Sequence, residues 1–129
     1  MTPPATLESE RHGDNVVVSV VGELDVFNAS EIMAAIETAV PSDAHGAVLD
    51  LTGVGFLDST AIRKLFGLTT RLRERRQRVL IVTPGGSTVL RTLQLVEFSR
   101  AAPLHDSLDE ALAELHSGAV EPAGPQSSP

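Results

Sequence analysis

The segment between residues 47 and 72 constrains the fold most, because its hydrophobic pattern changes from that of a strand to that of a helix. Residues 47–51 (AVLDL) form a short apolar run, which is typical of a buried strand. A turn is predicted at residues 52–55, which contain two glycines. Beyond it, apolar residues recur at helical spacing, at Ala61, Ile62, Leu65, Phe66, Leu68 and Leu72. The sequence therefore predicts a strand, a turn and an amphipathic helix in direct succession.

Three polar residues, Asp58, Ser59 and Thr60, lie where this helix is predicted to begin. A carboxylate or hydroxyl at that point can accept hydrogen bonds from the free backbone N–H groups of the first turn, and capping is the common role of such residues. A hydroxyl at a helix start is also a favourable position for a phosphate group. The residues alone favour the capping role and leave the phosphate role open.

The N-terminal third of the chain predicts a hairpin followed by a helix. Residues 6–11 alternate weakly and predict an edge strand, and the valine-rich residues 16–21 predict a central strand that returns antiparallel to it. Asn28 and Glu31 have the spacing of a capping box, so the first helix is predicted to begin there. Its apolar face would carry Ile32, Ala35, Ile36, Ala39 and Val40.

The C-terminal half continues this alternation of strands and helices. It predicts a strand at 78–83, a helix capped by Ser87, a weak edge strand at 100–104 and a final helix that starts with a Ser107–Glu110 capping box. Such alternation implies βαβ crossovers. The predicted fold is thus one α/β domain with a mostly parallel mixed sheet, an antiparallel N-terminal edge strand and about four helices. The domain is predicted at residues 6–116, between a loose arm (1–5) and a Pro/Gly/Ser-rich tail (117–129) expected to be disordered.

Composition excludes several classes of protein. The chain lacks cysteine, so it has neither disulfides nor thiolate metal sites, and its aromatic content of 3% requires an aliphatic core. No apolar run is long enough to span a membrane, and the first residues lack a secretion pattern. We expect a cytoplasmic protein of one domain that does not engage a membrane.

The net charge of −7 is unevenly distributed, because seven of the ten basic residues lie between residues 63 and 78 beside a single acid, Glu74. A basic helix end on an acidic body is one pattern seen in nucleic-acid-binding proteins. However, no aromatic residues alternate with the arginines, and a helix C-terminus favours cations in any case. Direct binding of nucleic acid is therefore not expected.

No complete catalytic, metal or cofactor motif is present. The glycine pairs do not form a phosphate-binding loop or a dinucleotide turn, and the four histidines show no spacing typical of metal ligands. A nucleophilic Ser59 would need a base, but its neighbours in sequence are acids and no GxSxG elbow surrounds it. We predict no catalytic residues, no metal and no cofactor; a small hydrolase that uses Ser59 and Asp58 is the disfavoured alternative.

Two short motifs give the chain a resemblance to a known family. Gly22-Glu23-Leu24-Asp25 at the end of a valine-rich strand resembles the GELD signature of STAS domains. The strand at 48–51 followed by residues 56–61 (FLDSTA) is similar to their strand and D-S-[ST]-G loop. Among STAS proteins the chain most resembles bacterial anti-sigma factor antagonists, with the same element order across the domain. The resemblance implies a non-catalytic regulator that binds an anti-sigma factor with serine kinase activity and so releases a sigma factor.

The same resemblance implies roles for individual residues. Ser59 would be phosphorylated by the anti-sigma factor, which switches binding off, and a phosphatase could restore it. The partner-binding residues would be Asp25, Asp58, Ser59, Thr60, Ala61 and Arg63. The chain departs from the family at Ala61 and Glu97, which replace glycines, and at Arg63 and Lys64, where relatives are often small or apolar. A STAS scaffold or small-ligand-binding regulator whose serine is never phosphorylated is the alternative.

Overall fold

A single mixed sheet organises the chain in the computed structural model, which describes residues 5–118. Its five strands follow one another in sequence order across the sheet. The first pair is antiparallel and the remaining pairs are parallel, as predicted. The strands are β1 (Thr6–His12), β2 (Asn15–Leu24), β3 (Gly46–Leu57), β4 (Arg78–Val82) and β5 (Leu104–His105).

Helices connect the parallel strands and cover both faces of the sheet. They are α1 (Ala29–Ala39), α2 (Ser59–Glu74), α3 (Thr88–Leu95) and α4 (Leu108–Gly118), with a short 3₁₀ helix at Phe98–Arg100. Neighbouring residues of β3 show the two faces: Leu49 packs in the cluster formed with α1, α2 and α3, whereas Val48 packs in the cluster formed with α4. Because a parallel strand is buried on both sides, its sequence is apolar without alternation. The predicted α/β class is confirmed.

The turn predicted at residues 52–55 is wrong, because β3 continues through it to Leu57. Glycine in an apolar run can mark either a turn or a close approach of two strands, and here it marks the latter. A Cβ on Gly53 would lie 2.8 Å from Cγ2 of Val21. The ladder between β2 and β3 shifts register on either side of this contact, between Ser19 and Val21 and between Gly22 and Glu23. Both strands extend past these glycines, to Leu24 in β2 and to Leu57 in β3.

Several element boundaries also differ from the prediction. The edge strand expected at 100–104 is confined to Leu104–His105, and Phe98–Arg100 form the 3₁₀ helix instead. The buried face of α1 consists of Ala29, Ile32, Met33 and Ile36, so it is rotated slightly from the predicted one. Helix α4 includes residues 117 and 118, which were assigned to the tail. The rest of the predicted tail and residues 1–4 of the predicted arm lie outside the described residues.

Candidate functional site

The upper ends of β2 and β3 lie side by side and place two aspartates at one edge of the sheet. Leu24 pairs with Leu57, and each is followed directly by an aspartate, Asp25 or Asp58. The backbone N–H of Asp58 donates to the carbonyl of Leu24 across 3.1 Å, which extends the ladder by one bond. The extension of both strands past the glycines thus brings two motifs that are distant in sequence to the same edge.

Asp58 caps helix α2 and also holds the neighbouring loop. Its Oδ1 accepts from the backbone N–H of Ala61 at 2.8 Å, which satisfies a free donor of the first helical turn. Its Oδ2 accepts from the backbone N–H of Val26 at 2.9 Å, in the loop between β2 and α1. The predicted capping role is confirmed for Asp58. Since both carboxylate oxygens are engaged, Asp58 joins the two loops into one unit.

The loop between β2 and α1 is fixed by its own side chains. Asn28 accepts from the backbone N–H of Asp25 at 2.9 Å and donates to the carbonyl of Glu23 at 2.8 Å. Asp25 in turn accepts from the backbone N–H of Phe27 at 2.9 Å. The capping box predicted for Asn28 is therefore wrong: Asn28 precedes α1, but its side chain folds back onto the loop instead of bonding to the helix.

Ser59 is the first residue of α2 and is exposed. Within residues 5–118 its hydroxyl has no hydrogen-bond partner, so the oxygen is available to another molecule. It lies at the positive end of a 16-residue helix, where added negative charge is favoured. Thr60 is half-buried, and Arg63, one turn further along the helix, is exposed. Asp25, Asp58, Ser59, Thr60 and Arg63 thus lie at or beside one edge of the sheet.

Ala61 does not belong to the exposed part of this edge. Its side chain is completely buried against the sheet, and its backbone N–H is occupied by Asp58. The prediction that Ala61 contacts a partner is therefore corrected, because its side chain has no accessible surface. Its methyl group fills core space below the helix start.

The sequence pattern missed three exposed apolar residues at this edge. Phe27 is 93% exposed, and Val26 and Phe56 are more than two-fifths exposed. Val26 and Phe27 follow Asp25, the last residue of the GELD-like motif, and Phe56 precedes Asp58 by two residues. For Val26 and Phe27 the available signal was an apolar pair outside any predicted strand or helix, whereas Phe56 belongs to β3 and to the FLDSTA motif. Large apolar side chains held in water beside a fixed loop are typical of a protein–protein contact.

The described residues offer little support for other kinds of site. Among residues 5–118 no group of three or more acidic or histidine side chains is arranged to hold a metal ion. No described helix is both long and apolar enough to cross a membrane. His12 and His45 pair with Glu10 and Asp14, at the opposite end of β2 from Ser59.

The fold and this edge define a small α/β domain that presents a serine at a helix start beside a rigid loop. The model of the STAS domain family matches residues 6–111, and the chain therefore belongs to the STAS domain family. The crystal structure of an anti-sigma factor antagonist from Mycobacterium paratuberculosis superposes with a TM-score of 0.78 at 30% identity, covering 90% of this chain and 99% of that one.

Two curated relatives have the same kind of name. The anti-sigma-F factor antagonist RsfB of Mycobacterium tuberculosis is 24% identical over 110 residues, which are 85% of this chain and 88% of that protein. The anti-sigma-B factor antagonist of Listeria monocytogenes is 29% identical over 72 residues, or 56% of this chain. The chain spans 63% of the length of that Listeria protein.

Proposed function

We propose that this chain is a cytoplasmic anti-sigma factor antagonist whose binding is switched off by phosphorylation of Ser59. In the unphosphorylated form it binds an anti-sigma factor that is also a serine kinase, and the sigma factor is released. The observation that carries the proposal is the exposed, unbonded hydroxyl of Ser59 at the start of α2, beside a loop fixed by Asp58. The names of the mycobacterial and Listeria relatives support the same partner class.

The binding surface combines rigidity with exposed apolar area. Asp58 and Asn28 hold the loop that carries Phe27, so little conformational freedom is lost when a partner covers it. Phe27 supplies a large exposed aromatic side chain, and aromatic residues including Phe are enriched at protein–protein interfaces. The surface consists of Asp25, Val26, Phe27, Ser59, Thr60 and Arg63, and we call it the switch surface.

The switch acts through local charge. A phosphate on Ser59 adds about −1.5 to −2 charges at pH 7 beside Asp25 and Asp58. The helix N-terminus tolerates this charge, so the fold is retained. A partner surface that fits a neutral serine and a carboxylate pair then meets concentrated negative charge and loses its contacts to the hydroxyl. A phosphatase acting on phospho-Ser59 would restore binding.

Reconstitution with the anti-sigma factor kinases of the source organism tests the proposal. Each kinase is purified and incubated with this chain and ATP, and the intact mass is measured. We expect one kinase to add a single phosphate group to the wild type and to Thr60→Ala, but not to Ser59→Ala. Stoichiometric phosphorylation of Ser59→Ala contradicts the choice of residue. A kinase that binds the chain tightly without modifying it indicates the alternative, a scaffold that is not phosphorylated.

A further inference from the structure

A cleft lined by several arginines lies at the other end of α2, about 24 Å along the helix axis from Ser59. There the end of α2, the start of β4 and the segment 99–103 enclose an open cleft of about 390 Å³. Its lining contains four arginines and, within the described part of the chain, no carboxylate. The arginines are Arg73, Arg76, Arg78 and Arg100.

Arg76 occupies a backbone position that glycine would fill with less strain. Helix α2 ends in a Schellman motif, in which Gln77 N–H donates to Leu72 O at 3.1 Å and Arg76 N–H donates to Arg73 O at 2.8 Å. Arg76, the first residue after the C-cap Arg75, has a φ of 63°, in the left-handed region. A side chain there is strained, and glycine is the usual occupant. An arginine in this position points to a use for its guanidinium.

The guanidinium groups differ in how far they are already engaged. Arg78 pairs with Glu114, and Arg100 pairs with Glu97 at the surface. Arg73 donates to the neutral carbonyl of Ala101. Among the described residues Arg76 has no side-chain hydrogen bond or ion pair. At least two cationic groups are therefore without a carboxylate partner and face one cleft.

The backbone of β4 adds a donor to the same cleft. The backbone N–H of Arg78 donates to the carbonyl of His45 on the β3 side. The backbone N–H of Ile81 donates to the carbonyl of Pro103 on the opposite side. Because successive N–H groups of a strand point to alternate sides, the N–H of Val79 points with that of Ile81, away from β3. Within the described residues β5 pairs with Ile81 and Val82 and stops short of Val79. The N–H of Val79 therefore points to the side of β4 opposite β3, and Val79 is one of the residues that line the cleft.

We propose that this cleft binds a small anion that carries phosphate groups. Planar guanidinium groups match phosphate oxygens in a bidentate way, and a cleft lined by several arginines suits a multiply charged anion. A long polyanion is a poorer fit, because most of the basic residues lie in 63–78 while the chain as a whole carries a net charge of −7. No aromatic side chain lines the cleft to stack with a base, among the residues that the structure describes.

Arg76→Gly provides a test in which loss of binding is separable from loss of folding. The substitution removes the unpaired guanidinium and also relieves the left-handed strain, so thermal stability should be equal or higher. Inorganic pyrophosphate is titrated at about 0.15 M salt, where non-specific surface attraction is screened. In backbone NMR we expect shifts at the amides of Val79 and Ala101. Arg76→Gly should weaken binding at least about tenfold.

Arg91→Ala is the matched control, since Arg91 is exposed on α3 and does not line the cleft. It should bind pyrophosphate like the wild type. Equal binding by Arg76→Gly, or shifts elsewhere than the cleft, would overturn the proposal, as would the absence of any shift at millimolar pyrophosphate. Malonate, a dicarboxylate, tests whether the cleft prefers phosphate groups. Equal affinities for malonate and pyrophosphate would contradict that preference. If a single-stranded oligonucleotide bound more tightly than pyrophosphate, the ligand of the cleft would be nucleic acid and not a small anion.

Discussion

The Oδ2 atom of Asp58 accepts a hydrogen bond from the backbone N–H of Val26 across 2.9 Å, although the two residues are 32 positions apart. This bond connects the loop after β2 to the start of α2, while the other carboxylate oxygen caps the helix at Ala61. The exposed Phe27 therefore stands on a support that is shared with the helix carrying Ser59. One side chain therefore couples the geometry of the exposed loop to that of the helix start that carries Ser59.

Asp58→Asn should uncouple the two loops. An amide keeps one acceptor oxygen but turns a donor toward one of the two backbone N–H groups. We expect the free energy of unfolding to fall by about 1–2 kcal/mol, measured by urea denaturation. Hydrogen exchange at the Val26 amide should accelerate beyond that global loss. Asp43→Asn is the control, because Asp43 makes a single exposed ion pair with Arg11 at 3.5 Å. Unchanged stability together with unchanged Val26 protection would show that the bond contributes nothing.

Phe27→Ala should separate binding from stability. Because Phe27 is almost fully exposed, the free energy of unfolding should change by no more than about 0.5 kcal/mol. Affinity for the anti-sigma factor, measured by calorimetry, should fall at least about tenfold, because the switch surface loses its largest apolar side chain. Leu95→Ala removes another exposed apolar side chain, at the end of α3, and should leave affinity unchanged. If Phe27→Ala bound the anti-sigma factor as tightly as Leu95→Ala and the wild type do, Phe27 would not belong to the switch surface.

The fold could be predicted largely because its signals are local. The valine run of β2 and the helical spacing between residues 61 and 72 each specify one element from neighbouring residues. The turn predicted around Gly53 was wrong because glycine is found both in turns and where two strands approach closely. Which of the two applies depends on Val21 in the neighbouring strand. Such a choice requires the pairing of β2 with β3, which no local pattern contains.

The site was predictable only where it follows a motif. Asp58 as a helix cap follows from its position, but its second bond to Val26 depends on the register that aligns Leu24 with Leu57. The burial of Ala61 depends on how α2 packs against the sheet. The exposure of Phe27 opposes the general preference of aromatic residues for the core, so hydrophobicity alone pointed the other way.

Ala61→Gly tests whether this residue acts in the core or at the interface. Glycine in a helix is less favourable than alanine, so the free energy of unfolding should fall by about 1 kcal/mol. Affinity for the anti-sigma factor should be unaffected, since the methyl group is buried. Ala34→Gly, on the exposed side of α1, is a matched control for the helix effect. A tenfold or larger change in affinity would return Ala61 to the contact set.

The aromatic pair Phe66 and Phe98 should dominate the stability of the α2 side of the core. Their ring centroids are 4.3 Å apart with an interplanar angle of 36°. Phe98 is fully buried, so Phe98→Ala should cost about 3–5 kcal/mol. Phe66 is half-buried, and Phe66→Ala should cost less. A double-mutant cycle by chemical denaturation should give a coupling of about 0.5–1.5 kcal/mol. Strict additivity would mean that the ring contact itself contributes nothing.

Phosphorylation of Ser59 should abolish binding while the fold persists. The phosphate lies at the N-terminus of α2 and one turn from the exposed Arg63, so both the helix dipole and an i, i+4 ion pair favour it. We therefore expect phosphorylation to leave the melting temperature unchanged or to raise it slightly, and any rise should be smaller in Arg63→Ala.

The affinity of the phosphorylated chain for the anti-sigma factor should fall at least about a hundredfold, or roughly 2.7 kcal/mol, because of charge repulsion and lost contacts to the hydroxyl. Ser59→Asp should reproduce only part of this loss, because one carboxylate carries less charge over a shorter reach, whereas Ser59→Ala should bind constitutively. Calorimetry on the purified phosphoprotein decides the matter, and equal affinity of the phosphorylated and unmodified forms would refute the switch.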